Sequence, residues 1–555
     1  MIAAIVLFPA RKRSKICNFL ELGQRLFPDR STHLKGSTMA PLIEAGFLAP
    51  LPPLLVAVLG ATLLRDARRP GSVAELGALL ALGLSAFSLA DLLLTGSATL
   101  ALGTTAVSFH IEPIGATLQL LIAFVGWVVV RYARTYLAGA RGESRFHVLL
   151  LATLSAVLAL SVAASLPALI LAFMAIGTLL RRLLLFFPAR PAARRAATKF
   201  TLVWGAADVA LVLAAALLWI SFGDGGLTGI DVPTQSGLPV LAQFAVALVV
   251  LAAALKTAAF PLHGWVTEVM EAPTPVSAFL HAGIINSGGV LLIKLAPLVG
   301  ASPGAMAALV MVGGFTALFG ATVMLTQSAV KTALAWSTVA QMGFMLLQCG
   351  LGLWPLALLH IVAHSLYKAH AFLSSGSAVL AVASVRRPGP VAVPGTLAVA
   401  RAFLLALGLY AVVALAFDLL LGAKSAQALA LGAILVLGVA YLVAQGLADA
   451  APRALTRRTV LASLGATLAY FGFHRLADWL WGGLLPGAPL AGPLEWALIV
   501  LALASFALVA IVQAMFPLWA HHPAAAGLRV HLANGLYLNA ILDRLTGGFR
   551  ADAKP

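Results

Sequence analysis

Apolar runs of membrane-crossing length recur along almost the whole chain, separated by short segments that gather arginine, glycine and proline. About twenty apolar residues in a helix cover the hydrocarbon core of a bilayer. Runs beginning near residues 42, 73, 113, 146, 166, 199, 238, 275, 304, 328, 354, 396, 426, 458 and 494 predict about fifteen such spans. Lipid offers no partner to an open backbone, so each run satisfies its own N–H and C=O groups only as a helix. The short alternating segments of a membrane barrel are missing. The expected fold class is an all-α polytopic membrane protein with about 13–15 transmembrane helices.

Composition agrees: of 555 residues, 61% are hydrophobic and 10% charged, with a mean hydropathy of +1.00. The formal net charge of +17 reads as membrane topology rather than nucleic-acid binding, because Lys and Arg accumulate in cytoplasmic loops. Loops of one parity hold Arg65, Arg68 and Arg69; Arg131, Arg134, Arg141 and Arg145; Arg181, Arg182, Arg190, Arg194, Arg195 and Lys199; Arg386 and Arg387; and Arg453, Arg457 and Arg458. Loops of the other parity are nearly bare, and residues 223–237 carry only Asp224 and Asp231. That alternation predicts an exterior N-terminus and a cytoplasmic C-terminus.

Residues 1–38 break the pattern with RKRSK at 11–15, Arg25, Arg30 and Lys35. They read either as a targeting segment or basic arm, or as an over-long start with Met39 the true initiator. The expected organisation is a basic extension at 1–38, a transmembrane domain at 39–520 and a cytoplasmic tail at 521–555. Cys17 and Cys349 supply neither a disulfide framework nor a four-cysteine metal site. There is no GxGxxG or Walker motif.

Charge inside a membrane span is costly and marks ion pathways by default. Lys256, Lys294, Lys331 and Lys368 fall in the apolar middle of the chain. Lys256 lies in VVLAAALKTAAFPLHGW, where Pro261 removes a backbone donor and should break the helix. A lysine at such a break suits a midplane ion site. Desolvation disfavours an ammonium's charge, so a lysine there can release and regain its proton. A snorkelling or loop lysine is the plainer alternative, and Lys294 lies nearer its span's end.

In LHIVAHSLYKAHAFL, His360, His364 and Lys368 are spaced i, i+4, i+8 and line one helix face about 6 Å apart. Histidine titrates near neutral pH, so the column suits a proton relay; His370 points elsewhere. Zinc binding by His360 and His364 lacks a carboxylate or thiol to complete the set. The segment PLHGWVTEVMEAPTPVSAFLHAG adds His263, Glu268, Glu271 and His281, with Pro273 and Pro275 ending one helix and starting the next. Glu268 and Glu271 are candidates to feed protons to the lysines, and a solvated turn accounts for either equally well.

From about residue 105 to 380 the chain resembles the antiporter-like proton-conducting subunits of respiratory complex I and multisubunit sodium/proton antiporters. The resemblance rests on KTAAFPLHGWVTEVMEAPTPVSAFLHAG, VKTALAWSTVAQMGFM, HIVAHSLYKAHAFL and, more weakly, KFTLVWGAAD, which places Asp208 in the sixth span. It implies two inverted five-helix repeats, each with a broken helix. It also implies a central polar axis served by lysines matching Lys256 and Lys331 and by the His360–His364–Lys368 column.

Departures from that pattern are specific. Phe173 and Met174 stand where complex I subunits carry a Trp-Glu pair, so the usual glutamate partner of the broken-helix lysine is missing. An Asp before the tenth-span lysine is lost in Ser328-Ala329-Val330-Lys331, and Asp418 is the one acid in the region of the twelfth span. There is no room for the long lateral helix of the largest complex I subunit.

The ending VHLANGLYLNAILDRLTGG, with His531, Asn534, Gly535 and Tyr537, resembles the DabB-type membrane subunit of dissolved inorganic carbon transporters, as does LHAGIINSGG with Asn286. That likeness implies a large soluble partner of the DabA type, related to β-carbonic anhydrases and holding the zinc. Cation flow, of H⁺ rather than Na⁺, would then drive conversion of CO₂ to bicarbonate. This chain would be a transporter subunit and not an enzyme, with membrane lipid around it and no cofactor or nucleic acid of its own. The alternatives are a subunit of complex I or a multisubunit antiporter, and a non-conducting scaffold. The arginine-rich loops are either docking surfaces for the partner or topology determinants alone.

Overall fold

The computed structural model describes residues 45–62, 70–96, 98–102, 107–223, 237–376, 396–446, 453–515, 519 and 522–545. The extension at 1–38, Met39, Arg65, Arg68, Arg69, Asp224, Asp231, Arg386, Arg387 and residues 546–555 lie outside the described residues.

A helix stands at each predicted span. After a single turn at Ala45–Leu48 these are α1 (Leu51–Thr62), α2 (Pro70–Thr95), α3 (Pro113–Tyr136), α4 (Glu143–Val162), α5 (Leu166–Leu184), α6 (Pro191–Phe222) and α7 (Val240–Lys256). Next come α8 (Thr274–Lys294, interrupted at 283–286), α9 (Pro303–Met324), α10 (Val330–Gly350) and α11 (Trp354–Leu373). The last four are α12 (Thr396–Leu421), α13 (Ala426–Gly446), α14 (Arg453–Trp481) and α15 (Pro493–Ala514). Among the described residues ten stretches are long and apolar enough to cross a membrane, and Ala45–Gly60, Val240–Lys256 and Ala426–Gly438 are apolar but shorter.

Two groups of helices pack side by side. One continuous core runs through α1 to α11, and α12 to α15 close around their own clusters of Phe403, Tyr410, Phe417 and Phe471 and of Leu431, Ile434 and Leu498. The interrupted helix α8 is the axis of the first group, since its apolar window is wholly buried. Burial of α9 on α10 depends on small residues. A Cβ on Gly313 would meet Leu347 N at 2.5 Å, and one on Gly343 would meet Ala317 N at 2.4 Å. Close backbone approach of this kind is how helices gain packing where water supplies no hydrophobic drive.

The loop between α2 and α3 is not bare coil but an antiparallel hairpin, β1 (Ala98–Leu102) with β2 (Val107–Ile111). It is tied to the α4–α5 turn by Ser108 N donating to Ser165 Oγ at 3.1 Å and Ala164 N donating to Ser108 O at 2.9 Å. The span reading, tuned to runs of twenty residues, had no signal for it. At the arginine-rich end, the buried Glu75 of α2 accepts from Arg131 and Arg134 of α3 at 3.1 and 2.6 Å.

The predicted break after Lys256 is present. The chain leaves α7 through Ala258 at φ 55° and turns through short helical pieces at Gly264–Glu268 and Val269–Glu271 before α8 begins. The freed backbone groups find partners: Trp265 Nε1 donates to Leu255 O at 3.3 Å, and Phe260 N donates to Thr316 Oγ1 of α9 at 3.1 Å. Irregular backbone at this depth persists only when it is satisfied in this way. The corresponding helix of the second expected repeat, α12, runs unbroken from Thr396 to Leu421. Its apolar sequence between those residues contains no proline.

The tail also has structure. Helices α16 (Pro523–Ala533) and α17 (Leu538–Leu545) are joined through Gly535, Leu536 and Tyr537, all at positive φ of 54–61°.

Candidate ion pathway

At the end of α7, Lys256 is fully buried and its Nζ lies 2.6 Å from Asp208 Oδ1 of α6. Its ammonium also stands over the rings of Phe173 (4.3 Å) and Trp204 (4.1 Å). Trp204 reaches this position because Gly177 of α5 leaves room: a Cβ there would lie 2.7 Å from the indole. The acid partner missing from α5 is thus replaced from α6. Phe173 faces the lysine, whereas Met174 is 47% exposed on the outer side of α5. An aromatic face and a carboxylate together hold a cation in apolar surroundings at lower cost than either alone.

His360, His364 and Lys368 share one face of α11, and groups from α8 and α10 meet them there. His364 and Lys368 are buried, and the His360 and His364 rings are 6.1 Å apart. Leu366, Tyr367 and His370 on the opposite face are exposed, as the helical spacing requires. Lys368 Nζ donates to Leu334 O at 3.1 Å, and Thr338 Oγ1 donates to the same carbonyl at 3.0 Å. His281 Nδ1 lies 3.0 Å from Thr338 Oγ1 and its ring stacks on Phe372 at 4.4 Å. With Thr338's hydrogen already given to Leu334, Nδ1 is the donor and Nε2 the free acceptor. His360 Nδ1 lies 2.8 Å from Gln348 Oε1. At the interruption of α8, Asn286 Nδ2 donates to Ser365 Oγ at 2.9 Å.

Several atoms along this line are buried with no protein partner among the described residues: His263 Nδ1, His281 Nε2, Asn286 Oδ1, Ser287 Oγ and both nitrogens of His364. Buried polar groups are normally satisfied. A line of orphaned polar atoms, imidazole nitrogens among them, is what proton-carrying water would bridge.

Other expected members stand apart. Lys331 is half-buried in the first turn of α10, at a helix end rather than within a span. Lys294 closes α8 and donates to Ala163 O at 3.0 Å, beside the hairpin. Glu271 and Asp418 are exposed. His263, unlike these four, is buried in the break, 4.7 Å between ring centroids from Trp336. The reason is common to the four outliers: each lies at an element's end or on its outer face, a distinction that one-dimensional apolar context does not encode.

Two clusters were not anticipated as sites. Lys199, counted in sequence as a loop cation, is buried and pairs with Glu268 of the break and with Asp543 of α17 at 2.7 Å. Asn539 of α17 joins them, its Oδ1 2.6 Å from Lys199 Nζ and its Nδ2 2.7 Å from Glu268 Oε1. In the second helix group, Lys424 Nζ lies 2.6 Å from Asp478 Oδ2, and His474 Nε2 lies 3.6 Å from Asp478 Oδ1. The i, i+4 spacing of His474 and Asp478 was available in the sequence as a signal; the approach of Lys424 was not.

Comparison with known proteins places this geometry. Residues 163–388 match the family model described as NADH:quinone oxidoreductase/Mrp antiporter, transmembrane. The chain is 38% identical over 466 residues to the probable inorganic carbon transporter subunit DabB2 of Halothiobacillus neapolitanus, covering 82% of both chains. It is 47% identical over 262 residues to the probable inorganic carbon transporter subunit DabB of Hydrogenovibrio crunogenus, about half of each. With the NAD(P)H-quinone oxidoreductase chain 5 of a Synechocystis strain it shares 32% identity over 300 residues, 44% of that protein. The solved Mrp complex of a Dietzia species matches in fold, with a TM-score of 0.61 at 22% identity over 91% of this chain and 60% of that one. Likeness of that extent, carried by the antiporter domain and its fold, makes the chain a member of the DabB family of antiporter-like membrane subunits.

Proposed function

We propose that this chain is the proton-conducting membrane subunit of an inorganic carbon transporter. It would lie in a bacterial inner membrane with its N-terminus outside and its arginine-rich loops and C-terminus in the cytoplasm. The observation that carries the reading is the buried Lys256–Asp208 pair at the helix break, continued by His281, Lys368, His364 and His360. Such a line titrates, and it supplies few of the oxygen ligands that Na⁺ prefers, so H⁺ is the favoured ion. The names of its DabB relatives support inorganic carbon as the cargo. Catalysis of CO₂ hydration would reside in a large soluble zinc protein of the DabA type, and proton flow through this chain would make that conversion one-way.

Growth at ambient CO₂ of a carbonic-anhydrase-deficient host, expressing the full chain with that partner, tests the reading. Rescue by the wild type and its loss in Lys256→Ala and His364→Ala are expected. Full rescue by both variants contradicts the assigned path. A complex I or sodium/proton antiporter subunit would give no rescue at all.

A further inference from the structure

The cluster around Lys199 has chemistry beyond an anchoring contact. One ammonium, that of Lys199, meets two carboxylates, Glu268 and Asp543. Lys199 is 1% exposed, Glu268 20% and Asp543 10%. Glu268 Oε1 is occupied by Lys199 and Asn539, yet its Oε2 is buried with no partner. That oxygen is an acceptor in a place where an unfilled acceptor is costly.

The position fits the path. Lys199 and Asp208 both lie on α6, nine residues apart, or about 13 Å along a helix. Between them on the same helix are Phe200 and Trp204, which pack with Trp265 of the break at ring-centroid distances of 5.1 to 5.9 Å. Two charged stations thus flank a cluster of three aromatic rings, one station beside Lys256 and one at the arginine-rich end.

Helix α17 is built into the second station. A Cβ on Gly264 would sit 2.3 Å from Asn539 Oδ1, so the glycine is what admits Asn539. The left-handed run at Gly535–Tyr537 turns the chain onto Trp336, and Gln327 Nε2 donates to Ala533 O at 3.2 Å.

Resting on the conduction reading above, the geometry points to Glu268 as a second proton-holding station, with Asn539 and Asp543 of the C-terminal helix as its positioning residues. A proton released by the Lys256 ammonium, whose N–H bond breaks to leave an amine beside Asp208, is carried by water past the rings and forms an O–H bond at Glu268 Oε2, which neutralises that carboxylate. Lys199 stays paired throughout, because Asp543 remains its counter-ion. Loss of the proton to water at the arginine-rich end restores the carboxylate.

The test uses the full chain in liposomes, read by voltage-driven proton flux and by pH-difference infrared spectra of the carboxylic-acid C=O stretch. Glu268→Gln should lower flux about tenfold or more, as expected for loss of a positioned proton carrier, and remove one titrating carboxyl band. Asp543→Asn should keep that band but lower flux, since Lys199 then binds Glu268 without the second carboxylate to share it. Asp543→Glu should restore flux. Asn539→Ala, a milder change, should slow flux without loss of thermal stability. Wild-type flux in Glu268→Gln, Asp543→Asn and Asn539→Ala and an unmoved band in Glu268→Gln, with Lys256→Ala inactive, overturn the station. Faster flux after removal of residues 534–555 also overturns it, in favour of a plug. Equal flux in wild type and Lys256→Ala removes the conduction reading itself.

Discussion

Lys256 holds its charge in an apolar bundle because three groups meet it: Asp208, Phe173 and Trp204. Removing one partner of a buried ion pair costs about 3–5 kcal/mol, because the other charge is left uncompensated. Asp208→Asn is therefore expected to lower the thermal midpoint in detergent as well as proton flux. The vacancy left by the family's glutamate is a separate matter. Met174 faces outward, so Met174→Glu will not rebuild the missing pair; it places a carboxylate on the outer side of α5 at a cost of about 2.5–3.5 kcal/mol. A fall in thermal stability with no gain in flux is the expected result. Lys331→Ala and Glu271→Gln touch a helix end and an exposed turn, and flux within about twofold of wild type is expected for both, as for surface changes in general.

At the scale of elements, the break between α7 and α8 depends on a neighbour. Phe260 N is satisfied by Thr316 of α9, so Thr316→Val leaves a buried donor unmade, at a cost of about 1–3 kcal/mol. Reduced thermal stability with an intact helical signal checks it. The break itself was legible in the sequence, since Lys256 and Pro261 announce it within a few residues. Its support was not: Thr316 lies 56 residues from Phe260 and belongs to no local pattern. The same limit explains Asp208. The sequence placed it in the sixth span, but its role as replacement for the absent glutamate required knowing that α6 and α7 pack with those two positions facing each other. Hairpin β1–β2 and the Lys424–Asp478–His474 group escaped for different reasons, one too short for a span signal and the other assembled from helix α14 and the distant α12–α13 connection.

Across the whole molecule, the apolar periodicity predicted where helices stand, and burial then sorted the charged residues within them. Lys256, His263, His281, His364 and Lys368 face inward, while Glu271, His370 and Asp418 face out. The inward set gathers near two interruptions, one after Lys256 and one within α8, where polar side chains replace regular helix. The most direct measurement of that account is voltage-driven proton entry into dye-loaded liposomes containing the full chain, wild type against Lys256→Ala. The account predicts potential-dependent acidification in the wild type and its loss in the variant, with both proteins folded by circular dichroism. Acidification at the same rate in both would contradict it.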